Sequence, residues 1–235
     1  MTATYALWST LVRAVASRAR LLGFAAVAVL VVVVAARSGN DLLLARDAVQ
    51  FVDLVGVSFA APVAALVFGV GVLGDLVDDG TLVYLWLRPV ARWRLALSAA
   101  VASWTLAIPM AMIPVLAGCA VLGAADRLTA AAVLATFGAV SAYSSLFVWL
   151  GLVSRRALVW GIGYLLIVEQ FAARGGSGLG ALSVRSHALS ILAGRTGVDL
   201  PTAWFSPLAS GIVLAVVTLA GVVATTVTLR KRDLA

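Results

Sequence analysis

The length and frequency of the apolar runs limit this fold more than anything else in the sequence. Six stretches, about 21–36, 51–74, 95–124, 128–153, 157–172 and 206–229, are strongly apolar and separated by short polar breaks. A helix needs about 20 apolar residues to cross the roughly 30 Å hydrocarbon core of a bilayer. The first and fifth runs are short on that scale, and the third contains Pro109 and Pro114, which predict a kink or break. With 235 residues, 63% hydrophobic and 11% charged, the chain falls far below the roughly 25% charge of a soluble domain. Lipid must take the place of part of the core. The expected fold is an all-α polytopic membrane protein with six spans, a single transmembrane domain over 1–235.

Residues 2–20 have a pattern of their own. Tyr5, Trp8, Leu11, Val12 and Val15 share one helical face, and Ser9, Arg13, Ser17 and Arg20 the other. A basic face opposite an aromatic and aliphatic one suits a helix lying in the membrane interface. The run after it imitates a signal peptide. The twenty patterned residues before it favour an uncleaved first span instead.

The formal charge is +7. In a soluble protein this suggests nucleic acid, but among membrane spans it is first a topology signal, because Lys and Arg collect on the cytoplasmic side. With the N-terminus inside, Arg13, Arg18, Arg20, Arg88, Arg92, Arg94, Arg155, Arg156, Arg230, Lys231 and Arg232 are cytoplasmic, eleven of the seventeen basic residues. Both termini are therefore expected inside, in the plasma membrane, with no nucleic-acid partner. One cysteine, Cys119, and one histidine, His187, speak against internal disulfides, zinc sites and catalytic triads. No metal or cofactor is expected on this chain.

Two motifs mislead. "GVGVLG" places Gly69, Gly71 and Gly74 at dinucleotide-fingerprint spacing, but inside an apolar run, where glycines let helices pack closely. "GGSG" (175–178) resembles an intramembrane serine-protease motif, yet His187 lies nine residues on in the same segment rather than on another helix. That external segment, about 173–205, contains a short apolar stretch, Leu182–Leu192, expected on the surface or dipping into the outer leaflet. Trp204 and Phe205 follow it as interface anchors. Asp53 and Glu169 are ionisable residues near the outer ends of their runs, and Ser141, Tyr143, Ser144 and Ser145 form a polar patch midway along the fourth. These groups either serve structure or line a substrate path.

The break at 75–94, "DLVDDGTLVYLWLRPVARWR", is the longest expected cytoplasmic loop. Asp75, Asp78 and Asp79 close the second run. Asp79-Gly80-Thr81 suits a helix start with Thr81 as cap, Leu82–Leu87 gives a short helix, and Pro89 ends it. Leu82, Tyr84 and Trp86 are too apolar to be left in water, so the helix docks on a partner or lies on the membrane. Residues Asp79, Gly80, Thr81, Leu82, Leu85, Leu87, Pro89 and Arg92 resemble the cytoplasmic loop of ABC-2 type (type V) transporter permeases. That resemblance extends to an elbow helix, six spans, helical elements between spans 5 and 6, and a basic tail, here "LRKRDLA". Two positions depart from the family pattern: Leu76 stands where a Glu is frequent, and Ala99 where a Lys is common.

The resemblance implies a permease half of an exporter. The loop would be a coupling helix docked on a separate cytoplasmic ATPase subunit that holds ATP and Mg, with Asp78, Asp79, Gly80, Thr81, Leu82, Tyr84, Leu85 and Trp86 at the contact. A second permease copy or a related permease would complete the path. The chain has no G-x-x-x-x-G-K-[ST] loop and so is not expected to hydrolyse ATP alone. A non-transporting anchor subunit is the alternative. A membrane enzyme is disfavoured by the lack of paired intramembrane acids or a His cluster.

Overall fold

The computed structural model describes residues 3–38, 45–82, 90–171 and 176–232. Every regular element among them is helical. In order they are α1 (Ala3–Val15), α2 (Arg18–Ser38), α3 (Ala45–Phe51), the π-helical segment π1 (Val52–Ala60), α4 (Ala61–Asp78), α5 (Arg92–Val121), α6 (Asp126–Val153), α7 (Ala157–Gly163), π2 (Tyr164–Glu169), α8 (Gly176–Gly180), α9 (Val184–Thr196) and α10 (Pro207–Arg232). Among the described residues four helices are long and apolar enough to cross a membrane: Asp47–Asp78, Arg92–Val121, Asp126–Val153 and Pro207–Lys231. The bent pair Thr4–Val15 and Arg18–Val34 makes a fifth if counted as one span, and Ala157–Glu169 is a shorter apolar helix. These helices point to a membrane protein.

α6 is the central helix. It packs against α4, α5, α9 and α10, and 72% of its apolar stretch is buried, against 22% for α10 at the periphery. The α4–α6 contact depends on glycines. A Cβ at Gly69 would stand 2.9 Å from the Phe147 Cβ, and one at Gly151 would stand 2.5 Å from the Val70 carbonyl oxygen. Gly69 of "GVGVLG" is therefore a packing residue, whose small size lets two backbones meet as between membrane helices generally, while Gly71 makes room for the Arg20 guanidinium. α5 runs through Pro109 and Pro114 as one helix, so of the expected kink or break there is no break; Pro114 is buried and Pro109 is exposed.

The first helix differs in detail from its sequence pattern. Leu7, Leu11 and Val15, at i, i+4 and i+8, are the buried stripe, whereas Tyr5 stands 49% exposed. Trp8 reaches sideways and donates its indole N–H to Thr105 Oγ1 on α5 at 3.1 Å. α1 and α2 then diverge by 70°. The turn is fixed by Ser17, whose Oγ accepts from the Arg20 amide at 3.3 Å and so caps α2. Arg20 in turn reaches Asp75 near the end of α4 at 2.9 Å. This contact places the start of α2 at the same end of the bundle as Asp78 and Arg92, hereafter the Asp78 end. Asp126 and Pro207 mark the opposite end.

α9 sits at that opposite end. Val184, His187, Ala188, Leu189, Ile191 and Leu192 are all buried, against α6, α10 and π1. Of the two placements expected for this apolar stretch, on the surface or dipping inward, the burial of α9 against the bundle favours the second. Its start is capped by Ser183, whose Oγ accepts from the Ser186 amide at 3.1 Å, and its end by Gly197 at φ 74°.

Candidate functional site

Two regions contain the residues singled out in the sequence. The first is the turn after α4. Asp79 N–H donates to the Asp75 carbonyl at 2.9 Å, Gly80 N–H to Val77 at 3.3 Å and Thr81 N–H to Leu76 at 3.0 Å. With Gly80 at φ +67°, this is a Schellman stop, in which a left-handed residue turns the last amides back onto the helix. The step therefore ends α4; the Thr81 hydroxyl points back to the Leu76 carbonyl at 3.5 Å, and the amides that Thr81 was expected to cap lie outside the described residues. Asp78, Asp79 and Gly80 are exposed, while Leu82 is buried. Tyr84, Leu85, Trp86, Leu87 and Pro89 lie outside the described residues. Beyond them Trp93 is exposed, with the Arg94 guanidinium 5.3 Å from its ring centre.

The second region is a buried polar cluster at the Asp126 end, built on the two π-helical segments. In an α-helix, residues five apart stand about 140° round the axis. The wider i→i+5 turn of a π-helix brings them together. Both segments use this geometry. Ser58 donates to Asp53 Oδ1 at 2.7 Å, and Tyr164 Oη donates to Glu169 Oε1 at 2.8 Å. In each case a carboxylate is held by a hydroxyl five positions away.

Glu169 is only 2% exposed, yet its carboxylate is saturated with donors. Besides Tyr164, Oε1 accepts from the Val184 amide at 3.1 Å. Oε2 accepts from Ser183 Oγ at 2.6 Å and from the Arg185 amide at 3.1 Å. The carboxylate thus sits on the first turn of α9, where the unpaired amides and the positive end of the helix dipole favour an anion. Arg185 extends the cluster: it donates to Asp53 Oδ1 at 3.3 Å and to Gln170 Oε1 at 3.5 Å. A cavity of about 250 Å³ adjoins these groups, lined by Ser58, Tyr143, Glu169, Gln170 and Arg185 among apolar side chains.

Of the six polar groups that could line a path, the structure brings Asp53, Tyr143 and Glu169 into one neighbourhood through Arg185, and Ser145 donates to the Ser141 carbonyl at 2.9 Å. Ser141 lines a different groove, against α10, with its hydroxyl donated to the Phe137 carbonyl at 2.8 Å. Ser144 is buried with no hydrogen-bond partner for its Oγ among the described residues, and its backbone packs against Gly69. The sequence reading missed Arg185, Gln170, Tyr164 and Ser183.

The histidine lies outside the cluster. His187 is buried, with Nε2 3.1 Å from the Ala181 carbonyl, Nδ1 3.4 Å from Ser210 Oγ and its ring stacked on Phe205 at 4.7 Å. Ser177 of the "GGSG" stretch is exposed. Among the described residues no three His, Cys, Asp or Glu side chains gather as metal ligands. Comparison with protein-family models, curated proteins and solved structures finds no match to this chain.

Proposed function

We propose that this chain is the membrane-spanning permease subunit of an ATP-driven exporter of the ABC-2 kind. In this reading α1 is an interfacial elbow. Six spans follow: α2, α3–π1–α4, α5, α6, α7–π2 and α10. Both termini and the loop at 75–94 face the cytoplasm across the plasma membrane. A separate ATPase subunit, holding ATP and Mg, docks on that loop, and a second permease copy completes the path.

The observation that carries this reading is the construction of the Asp78 end. An amphipathic helix bends by 70° into the next helix, whose Arg20 clasps Asp75, while Asp78 and Asp79 just beyond are exposed. Acidic side chains presented there would meet basic groups on the ATPase. A force on the loop would pass along α4 into α6 through the glycine-mediated contact, where the fit tolerates little slippage.

The test is co-purification. The tagged chain is expressed in its native host, solubilised gently and examined for a Walker-motif ATPase subunit. Wild type is expected to bring the ATPase with it. Asp78→Ala/Asp79→Ala and Tyr84→Ala/Trp86→Ala are expected to lose it while remaining monodisperse. Absence of an ATPase under several mild detergents would overturn the transporter reading. An ATPase that co-purifies with no ATP-dependent movement of solute in vesicles would favour an anchor subunit.

A further inference from the structure

A second cleft, far more apolar than the Glu169 cavity, runs along α10. It holds about 780 Å³ and is walled by Leu134 and Phe137 of α6, Ile191 of α9 and Leu208, Leu214 and Leu219 of α10. Several of these side chains are open to the surroundings: Phe137 is 50% exposed and Leu208 79%. Along α10 the cleft extends from Pro207 to Leu219, about 18 Å at 1.5 Å rise per residue. Half of a bilayer's roughly 30 Å hydrocarbon core is about 15 Å. The cleft therefore starts at the end of the span and stops near its middle, the depth of one leaflet.

Its polar groups are arranged for an amphiphile. Deep in the cleft the polar side chains are already satisfied. Ser141 Oγ bonds to the Phe137 carbonyl, Thr218 Oγ1 to the Leu214 carbonyl at 2.7 Å, and the Trp104 indole to the Ser141 carbonyl at 3.3 Å. What they leave is a lining suited to hydrocarbon. The charged lining residue is Arg195, in the last turn of α9. It is exposed and makes no ion pair with the described residues. A guanidinium at the mouth of an apolar slot matches a phosphate above an acyl chain. A second copy of the chain fits less well: two-fold pairing through this face would bring both Arg195 cations to the same interface.

We infer that this cleft binds a glycerophospholipid from the leaflet at the Asp126 end. One acyl chain lies along α10 over Gly211, and the phosphate sits on Arg195. The inference requires α6 and α10 to cross a bilayer, and it is independent of any ATPase partner.

The test uses phosphatidylglycerol added to the full chain in mild detergent, with bound lipid counted by native mass spectrometry. Wild type is expected to hold one lipid at the lowest lipid-to-protein ratios. Gly211→Phe is expected to abolish that binding, since a Cβ at 211 meets nothing within 4 Å and the ring enters the empty slot. Arg195→Gln should weaken binding about tenfold, the scale of one lost charge-assisted hydrogen bond, while Arg195→Lys retains most of it. Thermal melting of each variant checks folding. A wild type that binds no lipid in preference to detergent, or a Gly211→Phe variant that binds as wild type does, overturns the proposal. So does a dimer that Gly211→Phe dissociates, because a second copy then fills the cleft. Equal binding by wild type and Arg195→Gln removes the phosphate contact and with it the site as described.

Discussion

Removing the Glu169 carboxylate is the sharpest test of how the Asp126 end is held together. In Glu169→Ala, four donors lose their acceptor: the Val184 and Arg185 amides and the Ser183 and Tyr164 hydroxyls. The hydroxyls can rotate, but the two amides are fixed by α9. A buried donor left unpaired costs about 1–3 kcal/mol, and loss of one partner from a buried charged network costs about 3–5 kcal/mol. Water entering from the adjoining cavity of about 250 Å³ offsets part of this, so we expect about 3–5 kcal/mol in total. For a chain of this size each kcal/mol lowers Tm by about 2–4 °C, which gives a fall of about 6–20 °C. The assay is thermal unfolding in mild detergent followed by tryptophan fluorescence, with amide exchange read at Val184 and Arg185. Glu169→Gln keeps one carbonyl acceptor and should fall between the two. If Glu169→Ala melts with wild type and both amides stay protected, the carboxylate is not the cap of α9 and the argument fails.

Three further outcomes follow from the packing and the turns. Gly151→Ala should destabilise by about 1–3 kcal/mol, because its Cβ would stand 2.5 Å from the Val70 carbonyl oxygen; unchanged melting would mean α4 and α6 separate freely. Gly80→Ala should cost about 1–2 kcal/mol through the left-handed backbone alone, since nothing lies within 4 Å of its Cβ, and urea titration in detergent reads that difference. The Arg20–Asp75 pair, with side chains 29% and 41% exposed, should show a coupling below about 1 kcal/mol in a double-mutant cycle. The more enclosed Arg185–Asp53 pair, 17% and 21% exposed, should exceed it.

The long helices were readable because a bilayer imposes one length and one chemistry on every span, so α4, α5, α6 and α10 stand out in the apolar runs. The packing role of Gly69 was readable for the same reason, since a glycine in such a run has few other uses. The turn at Gly80 was legible in part: the aspartates marked the end of the second run, but φ at Gly80 and the direction of the Thr81 amide, which make the stop a Schellman turn, are not revealed by spelling. The Glu169 cluster was the least legible. Its donors come from Ser183–Arg185 across a Gly-rich stretch, and its internal pairs have the five-residue spacing of a π-helix, which α-helical periodicity places on different faces. Tyr5 belongs to the apolar face of α1 in sequence, but periodicity does not say which edge of that face meets protein: Leu7, Leu11 and Val15 are buried and Tyr5 is left outside.

The Asp53–Arg185 contact also has a meaning for how the chain is made. The two residues are separated by 132 positions, so at a synthesis rate of about 5–20 residues per second the carboxylate emerges roughly 7–26 s before its cation. Throughout that interval, among the described residues, Asp53 has Ser58 as its hydrogen-bond partner. Biogenesis must therefore tolerate an unfinished bundle until the last third of the chain arrives. A ribosome-stalled fragment ending before Ser183 would expose Asp53 and Glu169 together, and should be drawn to membrane chaperones more strongly than one extended past Thr196.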